Sequence, residues 1–349
     1  MPIVLAIVGT PSPVSYGVFD VLRTTARFAA AEFVILSANS VTEFESAVSG
    51  EEPGSKALVV ISDYPQTDLL ALLQERGAPI VVCMERFETI AHHFVVARGY
   101  SGVDAARHAT NALVNLEETV VFKKRNVAVV NHANVSIFKL VGALGAILGM
   151  TIDRSKQIEI VRSLAPEGGE TTSIADYAVR FAPDVSAAPQ ILDQRSPLED
   201  DLLDFLAPFY DVIFHRRRLE ALEWPPFALL RPDLPDRLTV GPIDLTGPAR
   251  FIYYGPYFAL PRGRWRADIV VEVSDCHSDN RIAIDVASGG VLAALTAKLP
   301  PQGVFGCAIA FEIRNPSDPV EIRMQLLTGA IEGALMLRRV HLTRSASAP

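Results

Sequence analysis

The sequence has little cysteine, little clustered positive charge and no long hydrophobic run. Its three cysteines are scattered and odd in number, which argues against a disulfide framework or a zinc knuckle and favours a reducing cytoplasm. The net charge is −8, and the one compact basic run is HRRR at 215–218. This balance argues against nucleic acid as the main partner. We therefore expect a cytoplasmic protein.

The apolar runs are too short to predict a membrane span. The longest, IFKLVGALGAILGM at 137–150, contains a lysine and falls short of the roughly 20 residues that cross a bilayer. The opening MPIVLAIVGT lacks the basic start and the cleavage site of a signal peptide, so we interpret it as a first strand. With 349 residues, 49% of them hydrophobic, the chain can bury a sizeable core in two domains.

Residues 3–135 alternate between apolar runs and helical stretches. Five runs have the composition of strands covered on both faces: IVLAIVG, EFVILSA, ALVVISD, PIVVCME and NVAVVNH. Strands that alternate with helices predict a parallel sheet with right-handed crossovers. We therefore expect an α/β domain over residues 1–135.

The rest of the chain changes character twice. Residues 136–235 have helical apolar spacing and end in a proline-rich stretch that we interpret as a linker. From residue 240 the pattern has period two, and turn sequences recur at the spacing of a β-sandwich. The expected fold class is an α/β parallel-sheet domain (1–135), a helical extension with linker (136–235) and an all-β, jelly-roll-like sandwich (240–345).

The turn after the first strand, GTPSPVSY at 9–16, stands where many α/β proteins bind a phosphate. Such a loop needs backbone N–H groups at a helix N-terminus, glycines for close approach and usually a Lys or Arg. This turn has no basic residue, and Pro11 and Pro13 remove two N–H donors. We therefore interpret the turn as structural, with Ser15 capping the helix that follows.

The same turn resembles the GTPRSGTT turn of sulfotransferases. The stretch ERFETIAHHFVVARGYSG from Glu85 is similar to the segment that contacts the 3′-phosphate of the donor nucleotide in that family. The resemblance implies a P-loop-type α/β fold and assigns the donor to Gly9, Thr10, Ser15 and Arg86. The pattern is degenerate, because residues 12–14 (SPV) replace the family's Arg, Ser and Gly, and Phe94 stands where a phosphate-binding Ser is expected.

Polar side chains follow three predicted strands, at the end of a parallel sheet where ligands bind. They are Asp63 after the third strand, Glu85 and Arg86 after the fourth, and His132 and Asn134 after the fifth. If this domain catalyses group transfer, Asp63, Glu85 or His132 would be the base. The adjacent His92 and His93 would point about 100° apart on a helix. We therefore interpret them as ordinary helix histidines and expect no metal site.

The sandwich segment FIYYGPYFALPRGRWRADI interleaves aromatic residues with arginines. Aromatic rings stack on sugar rings, and neighbouring polar groups bond the hydroxyls, which points to a glycan ligand. The ligand-binding candidates are Tyr254, Tyr257, Arg264 and Arg266, whereas Trp265 is in phase with the predicted core. The run from Tyr254 to Gly333 resembles sandwich domains appended to bacterial glycosyltransferases and polysaccharide-handling proteins.

Together these features predict a non-catalytic or repurposed bacterial protein of surface-polysaccharide biology. We expect it to bind a glycan or a glycan-bearing partner through the sandwich, with no cofactor. One alternative is sulfotransferase-like group transfer from a nucleotide donor to a carbohydrate. Another is a structural protein whose sandwich mediates self-association into a homo-oligomer. A convergent pocket at the strand ends would favour the enzyme, and an exposed aromatic platform would favour glycan binding.

Overall fold

The computed structural model describes residues 3–28, 33–50, 57–122, 126–131, 135–182, 196–238 and 240–345. Contacts within the chain group it into two compact units. The first consists of residues 1–99, 115–192 and 213–216, and the second of residues 100–114, 193–212 and 217–349. The predicted fold class is confirmed, because a parallel α/β sheet comes first and the antiparallel sheets of a sandwich follow.

Five parallel strands form the sheet of the first unit. They are β1 (Ile3–Gly9), β2 (Phe33–Ser37), β3 (Ala57–Ser62), β4 (Ile80–Met84) and β5 (Val127–Asn131). Their order is β2-β3-β1-β4-β5, and β4 is apolar and buried throughout. The carboxyl end of β1 therefore lies between the ends of β3 and β4, which is the edge that positions the candidate site.

Four helices connect or follow these strands. They are α1 (Pro13–Arg27), α2 (Val41–Ser49), α3 (Thr67–Glu75) and α4 (Phe87–Arg98). In α1 the side chains of Val14, Val18 and Leu22 recur every four residues and are buried, as on the inward face of an amphipathic helix. The loop that leads into α1 is thereby held against the end of the sheet.

The middle of the chain contributes helices to both units. They are α5 (Gly102–Val121), α6 (Ile137–Ile147), α7 (Arg154–Leu164), α8 (Ile174–Ala178) and α9 (Pro197–Phe214). The apolar side chains of α6, α7 and α8 share one core with α1. Residues 102–114 of α5 and 197–212 of α9 belong to the second unit. In the part of the chain that the structure describes, no helix is long and apolar enough to cross a membrane.

The described residues of the second unit form twelve strands, β6 to β17. They are β6 (Ala221–Trp224), β7 (Leu230–Arg231), β8 (Leu234–Leu238), β9 (Ile243–Asp244), β10 (Arg250–Tyr253), β11 (Pro256–Phe258), β12 (Gly263–Ser274), β13 (Arg281–Ala287), β14 (Val291–Lys298), β15 (Gly303–Ile313), β16 (Val320–Leu326) and β17 (Ala334–Arg344). One sheet, the β16 sheet, has the order β10-β16-β13-β14, and β11 also pairs with β16. The other, the β12 sheet, has the order β15-β12-β17-β6, and β9 also pairs with β17. A short β7-β8 pair lies outside both.

The period-two pattern of β12 builds the core of this unit. Alternate side chains along the strand are buried, beginning with Trp265, Ala267 and Ile269. The indole Nε1 of Trp265 donates a hydrogen bond to the Pro261 carbonyl at 2.9 Å, so its polar group is satisfied inside the core. The prediction that Trp265 is a core residue is confirmed.

Candidate functional site

The loop after β1 is closed by its own hydrogen bonds. Ser12 is the N-cap of α1, since its Oγ accepts the backbone N–H of Ser15 at 3.3 Å. The predicted cap at Ser15 is wrong, because the hydroxyl of Ser15 turns back and donates to the Thr10 carbonyl at 2.7 Å. Ser12 and Ser15 are both fully buried. The two hydroxyls therefore hold the loop together from within.

Few backbone N–H groups of this loop are left for a phosphate. Pro11 and Pro13 have none, and the N–H of Thr10 donates to the Cys83 carbonyl at 3.1 Å. The N–H of Tyr16 donates to the Ser12 carbonyl at 3.2 Å. A Cβ added at Gly9 would lie 2.8 Å from the Cys83 carbonyl oxygen, so the close approach of β4 is enough to explain this glycine. The loop therefore has the position of a phosphate-binding loop but few of the free N–H donors that such a loop needs.

Glu85 and Arg86 lie at the start of α4, after β4. Arg86 is exposed, and its guanidinium carbon lies 5.8 Å from the centre of the Phe214 ring, a cation–π contact. Burial raises the pKa of Glu85, and the neighbouring Arg86 opposes that shift. His132 and Asn134 lie outside the residues that the structure describes. The predicted rim is therefore defined here by Asp63, Glu85 and Arg86.

Asp63 forms a hydrogen-bonded chain with two residues from different helices. The Tyr16 hydroxyl donates to Asp63 Oδ2 at 2.9 Å and lies 3.4 Å from His93 Nε2. The Tyr16 and His93 rings are 5.4 Å apart between centres. Asp63 follows β3, Tyr16 lies in the first turn of α1 after β1, and His93 lies on α4 after β4. Three neighbouring strand ends thus supply one cluster.

The electrostatics of this cluster determine where its protons lie. Burial and the adjacent Asp63 raise the pKa of Tyr16 to about 12, so the phenol stays protonated near neutral pH. Burial and the positive charge of Arg98 lower the pKa of His93, so its imidazole is neutral there. Because the single phenol proton goes to Asp63, the Tyr16 oxygen accepts from His93 Nε2–H. His93 Nδ1 is then an unprotonated acceptor.

Two of the three members of this cluster were not predicted. Tyr16 belongs to the turn that the sequence predicts to be structural, and the sequence predicts His93 to be an ordinary helix histidine. The usable signal was positional, because both residues lie in helices that start directly after strands of a parallel sheet, within reach of its carboxyl edge. The pairing itself depends on how α1 and α4 pack, which a single sequence does not show.

Tyr254 and Tyr257 come together at the edge of the β16 sheet. Their rings are 6.3 Å apart between centres, at 65°, and both side chains are half-buried. The guanidinium carbon of Arg107 lies 5.0 Å from the centre of the Tyr257 ring. Burial and the neighbouring Glu321 raise the pKa of Tyr257 to about 12. This aromatic pair combines ring surface with two hydroxyl groups, and that of Tyr257 stays protonated near neutral pH.

Charged side chains continue the surface across the β16 sheet. Arg323 Nε bonds Asp285 Oδ1 at 2.7 Å, and its NH1 lies 3.5 Å from Glu321 Oε1. These three side chains occupy the outer face of β13 and β16, since the residues that alternate with them are buried. Phe251 of β10, 40% exposed, pairs with Gln325 of β16 on the same sheet.

Arg264 and Arg266 do not join the tyrosines. Both lie on β12, in the other sheet of the sandwich, where their side chains are exposed. Arg266 NH2 is ion-paired with Asp268 Oδ1 at 2.8 Å. The four predicted ligand-binding residues are thus divided, with Tyr257 in β11 of the β16 sheet, Tyr254 between β10 and β11, and the two arginines in the β12 sheet.

Comparisons with solved structures find partial likenesses to this chain. No family model matches the sequence, and no curated protein matches it. Mouse sulfotransferase SULT7A1 complexed with PAP is 14% identical, with a TM-score of 0.37 over 61% of this chain and 87% of that one. The carbohydrate-binding module TmCBM61 in complex with β-1,4-galactotriose is 15% identical, with a TM-score of 0.23 over 31% of this chain and 74% of that one.

The xylan-binding module CBM15 is a third similar structure. It is 12% identical, with a TM-score of 0.22 over 32% of this chain and all (100%) of that one. TM-scores below 0.5 indicate only partial similarity, and they imply no function for this chain. The chain's own arrangement, a parallel sheet followed by antiparallel sheets, fits the expected joining of a sulfotransferase-like α/β domain to a β-sandwich.

Proposed function

We propose that the second unit binds a glycan on the outer face of the β16 sheet, at Tyr254 and Tyr257. The observation that carries the proposal is the half-buried tyrosine pair beside the Glu321–Arg323–Asp285 network. A sugar ring presents an apolar face that packs on an aromatic side chain, and it presents hydroxyls that both donate and accept hydrogen bonds. Carboxylates and a guanidinium beside the rings supply both kinds of partner.

The backbone at Tyr257 supports a binding role for this residue. Tyr257 has φ of 71°, in the left-handed region that an aromatic residue rarely adopts. Such a conformation costs about 1–3 kcal/mol and persists where the surroundings fix it, which is often at ligand sites. Here Arg107 Nε donates to the Pro256 carbonyl at 3.0 Å, and the same guanidinium covers one face of the Tyr257 ring. Tyr257 is thereby fixed before any ligand arrives.

The network on β16 and β13 is also held in place. Arg323, Asp285 and Glu321 have side chains that are 27%, 18% and 18% exposed, so they are accessible but restrained. Side chains alternate between the two faces along β16, so Glu321, Arg323 and Gln325 lie in one line on the outer face. A row of polar groups beside two rings fits a chain of sugars better than a compact, fully enclosed ligand.

The finer proposal is a bacterial protein of surface-polysaccharide biology in which the first unit is a scaffold or has a repurposed site. It rests on the resemblance of residues 254–333 to sandwiches appended to bacterial glycosyltransferases. The closed loop after β1 supports a first unit without sulfuryl transfer, because Pro11 and Pro13 lack N–H groups and the N–H groups of Thr10 and Ser15 are bonded to protein oxygens. No chemical step is assigned.

The test begins with a glycan array and continues with calorimetric titration of the strongest oligosaccharide. Tyr254→Ala should weaken binding by about tenfold or more, since truncating an aromatic anchor in an interface typically costs about 2 kcal/mol. Arg264→Ala is the matched control, because Arg264 is exposed on the other sheet and should bind as the wild type does. Equal binding by Tyr254→Ala, or loss in Arg264→Ala, would place the ligand elsewhere.

Self-association is a second candidate, and the edge strands β14 and β15 favour it. Val291 and Val304 are 60% and 64% exposed, and Leu292 and Phe305 are 37% exposed each. Neither strand has a charged residue in its first seven positions, whereas exposed edges are usually protected by charge. The mass of the full chain in solution, measured by light scattering, distinguishes a monomer from a homo-oligomer.

A further inference from the structure

The carboxyl edge of the parallel sheet contains a polar cluster that the proposed glycan site does not use. β1 lies between β3 and β4, and the segments after these three strands supply Tyr16, Asp63 and His93. In open α/β sheets, ligands bind outside the carboxyl ends of the strands, at the point where the strand order reverses. The cluster occupies that position, in a different unit from the tyrosine pair.

Two buried polar atoms at this edge have no hydrogen-bond partner among the residues that the structure describes. They are Nδ1 of His93, which is 5% exposed, and Oγ1 of Thr10, which is fully buried. A buried polar group left unpaired is unfavourable, so a ligand that supplies the missing hydrogen bond would stabilise it. Thr10 directly follows β1, and its N–H bonds the Cys83 carbonyl of β4, the strand that leads into the helix of His93. Both unpaired atoms therefore flank the ends of β1 and β4.

The charges around the cluster restrict what it can bind. His93 Nδ1 and the Asp63 carboxylate are hydrogen-bond acceptors, so a ligand must supply donors. Arg98 acts electrostatically on both Tyr16 and His93 and disfavours a cation. Asp63 disfavours an anion in the same place. A neutral molecule with several hydroxyl groups supplies such donors without placing a charge beside Arg98 or Asp63.

We propose that this edge of the first unit is a second binding site, which takes a neutral polyhydroxyl ligand whose hydroxyl donates to His93 Nδ1. Tyr16 and Asp63 are positioning residues. They hold the Nε2–H of His93 in a hydrogen bond, which fixes the tautomer and directs the Nδ1 lone pair to the ligand. The proposed site does not require a phosphate group in its ligand, and it does not require the loop after β1 to bind an anion.

The experiment is nitrogen NMR of the histidine rings in the full-length protein. The His93→Gln variant identifies the His93 signals, and His92→Gln, an exposed neighbour on the same helix, is the matched control. In the free protein we expect His93 with Nε2 protonated and Nδ1 unprotonated. Methyl glucoside should shift the Nδ1 signal saturably, in the wild type and in His92→Gln alike.

Two comparisons complete the test. The 2-amino analogue of methyl glucoside, which is cationic, should bind at least about tenfold more weakly beside Arg98. Tyr16→Phe should mix the two His93 tautomers and weaken the response to methyl glucoside, which a merely structural tyrosine would not do. A protonated Nδ1 in the free protein, no saturable shift with methyl glucoside, or preference for the amino analogue would overturn the proposal. None of these results depends on Tyr254 or Tyr257.

Discussion

At the scale of single residues, the environment of His93 determines its protonation. Burial disfavours a charged imidazole, and the positive charge of Arg98 acts in the same direction, while Asp63 opposes both. The resulting pKa lies below the usual value, so the folded chain keeps His93 neutral at pH values where an exposed histidine is already protonated. The folded state is therefore coupled to pH through this residue.

We expect the stability of the folded chain to fall as the pH drops below about 6.5, the pKa of a histidine in the unfolded chain. Between that value and the lower pKa of folded His93, the unfolded chain binds more protons, so the free energy of unfolding decreases with decreasing pH. Above about pH 6.5 the imidazole is neutral in both the folded and the unfolded chain, so His93 makes no pH-dependent contribution to the free energy of unfolding there. His93→Gln should flatten the dependence, measured by urea unfolding at a series of pH values.

His92→Gln is the control for this experiment, because His92 is exposed on the same helix. It should change the pH dependence of the free energy of unfolding much less than His93→Gln does, because His92 has the smallest effect among the groups that act on the pKa of His93. The pKa of His108 is also lowered, mainly by burial, so the free energy of unfolding still depends on pH through His108 in every variant. If His93→Gln unfolds with the wild-type dependence on pH, the coupling assigned to His93 is wrong.

At the scale of elements, sequence patterns predict strands and helices better than they predict which side chains meet. Buried runs such as IVVCM of β4 predict strands, and strand ends predict the location of Asp63. The partners of Asp63 come from α1 and α4, and their approach depends on helix packing. Arg264 is only ten positions after Tyr254, yet the intervening turn transfers the chain to the other sheet.

The loop and helix after β1 lead to a prediction about nucleotide binding. Adenosine 3′,5′-bisphosphate should not raise the melting temperature of the wild type, because this loop has lost most of the N–H donors that hold a phosphate. A ligand that binds only the folded state would stabilise it by mass action, so even modest affinity would register in a thermal-shift titration.

Arg86→Ala separates the two outcomes of that titration. The resemblance to sulfotransferases assigns the 3′-phosphate to Arg86, whereas the structure shows its guanidinium 5.8 Å from the centre of the Phe214 ring. We expect neither protein to respond to the nucleotide. A saturable rise in melting temperature that disappears in Arg86→Ala would restore the group-transfer alternative.

At the scale of the whole molecule, the second unit is assembled from distant parts of the sequence. Thr110 of α5 accepts the Ala259 N–H at 3.2 Å, and Tyr210 of α9 donates to the Ala259 carbonyl at 2.9 Å. Leu222 and Trp224 of β6 are fully buried and pair with β17. The period-two pattern starts only near residue 240, so it does not predict that parts of α5 and α9, and all of β6, belong to the second unit. We propose that the functional sandwich includes them.

A comparison of fragments tests this proposal. Residues 240–349 alone lack β6, and losing a buried Trp and a buried Leu costs several kcal/mol in a typical core, which is a large part of a stability of about 5–15 kcal/mol. Residues 217–349 keep β6 but lack the helical partners of Ala259. Thermal unfolding followed by circular dichroism should therefore give the highest melting temperature for this unit in the full chain, a lower one for 217–349 and the lowest for 240–349. Equal melting temperatures for the two fragments would show that the sandwich does not need β6. In that case the boundary at residue 240 would describe an independently stable domain.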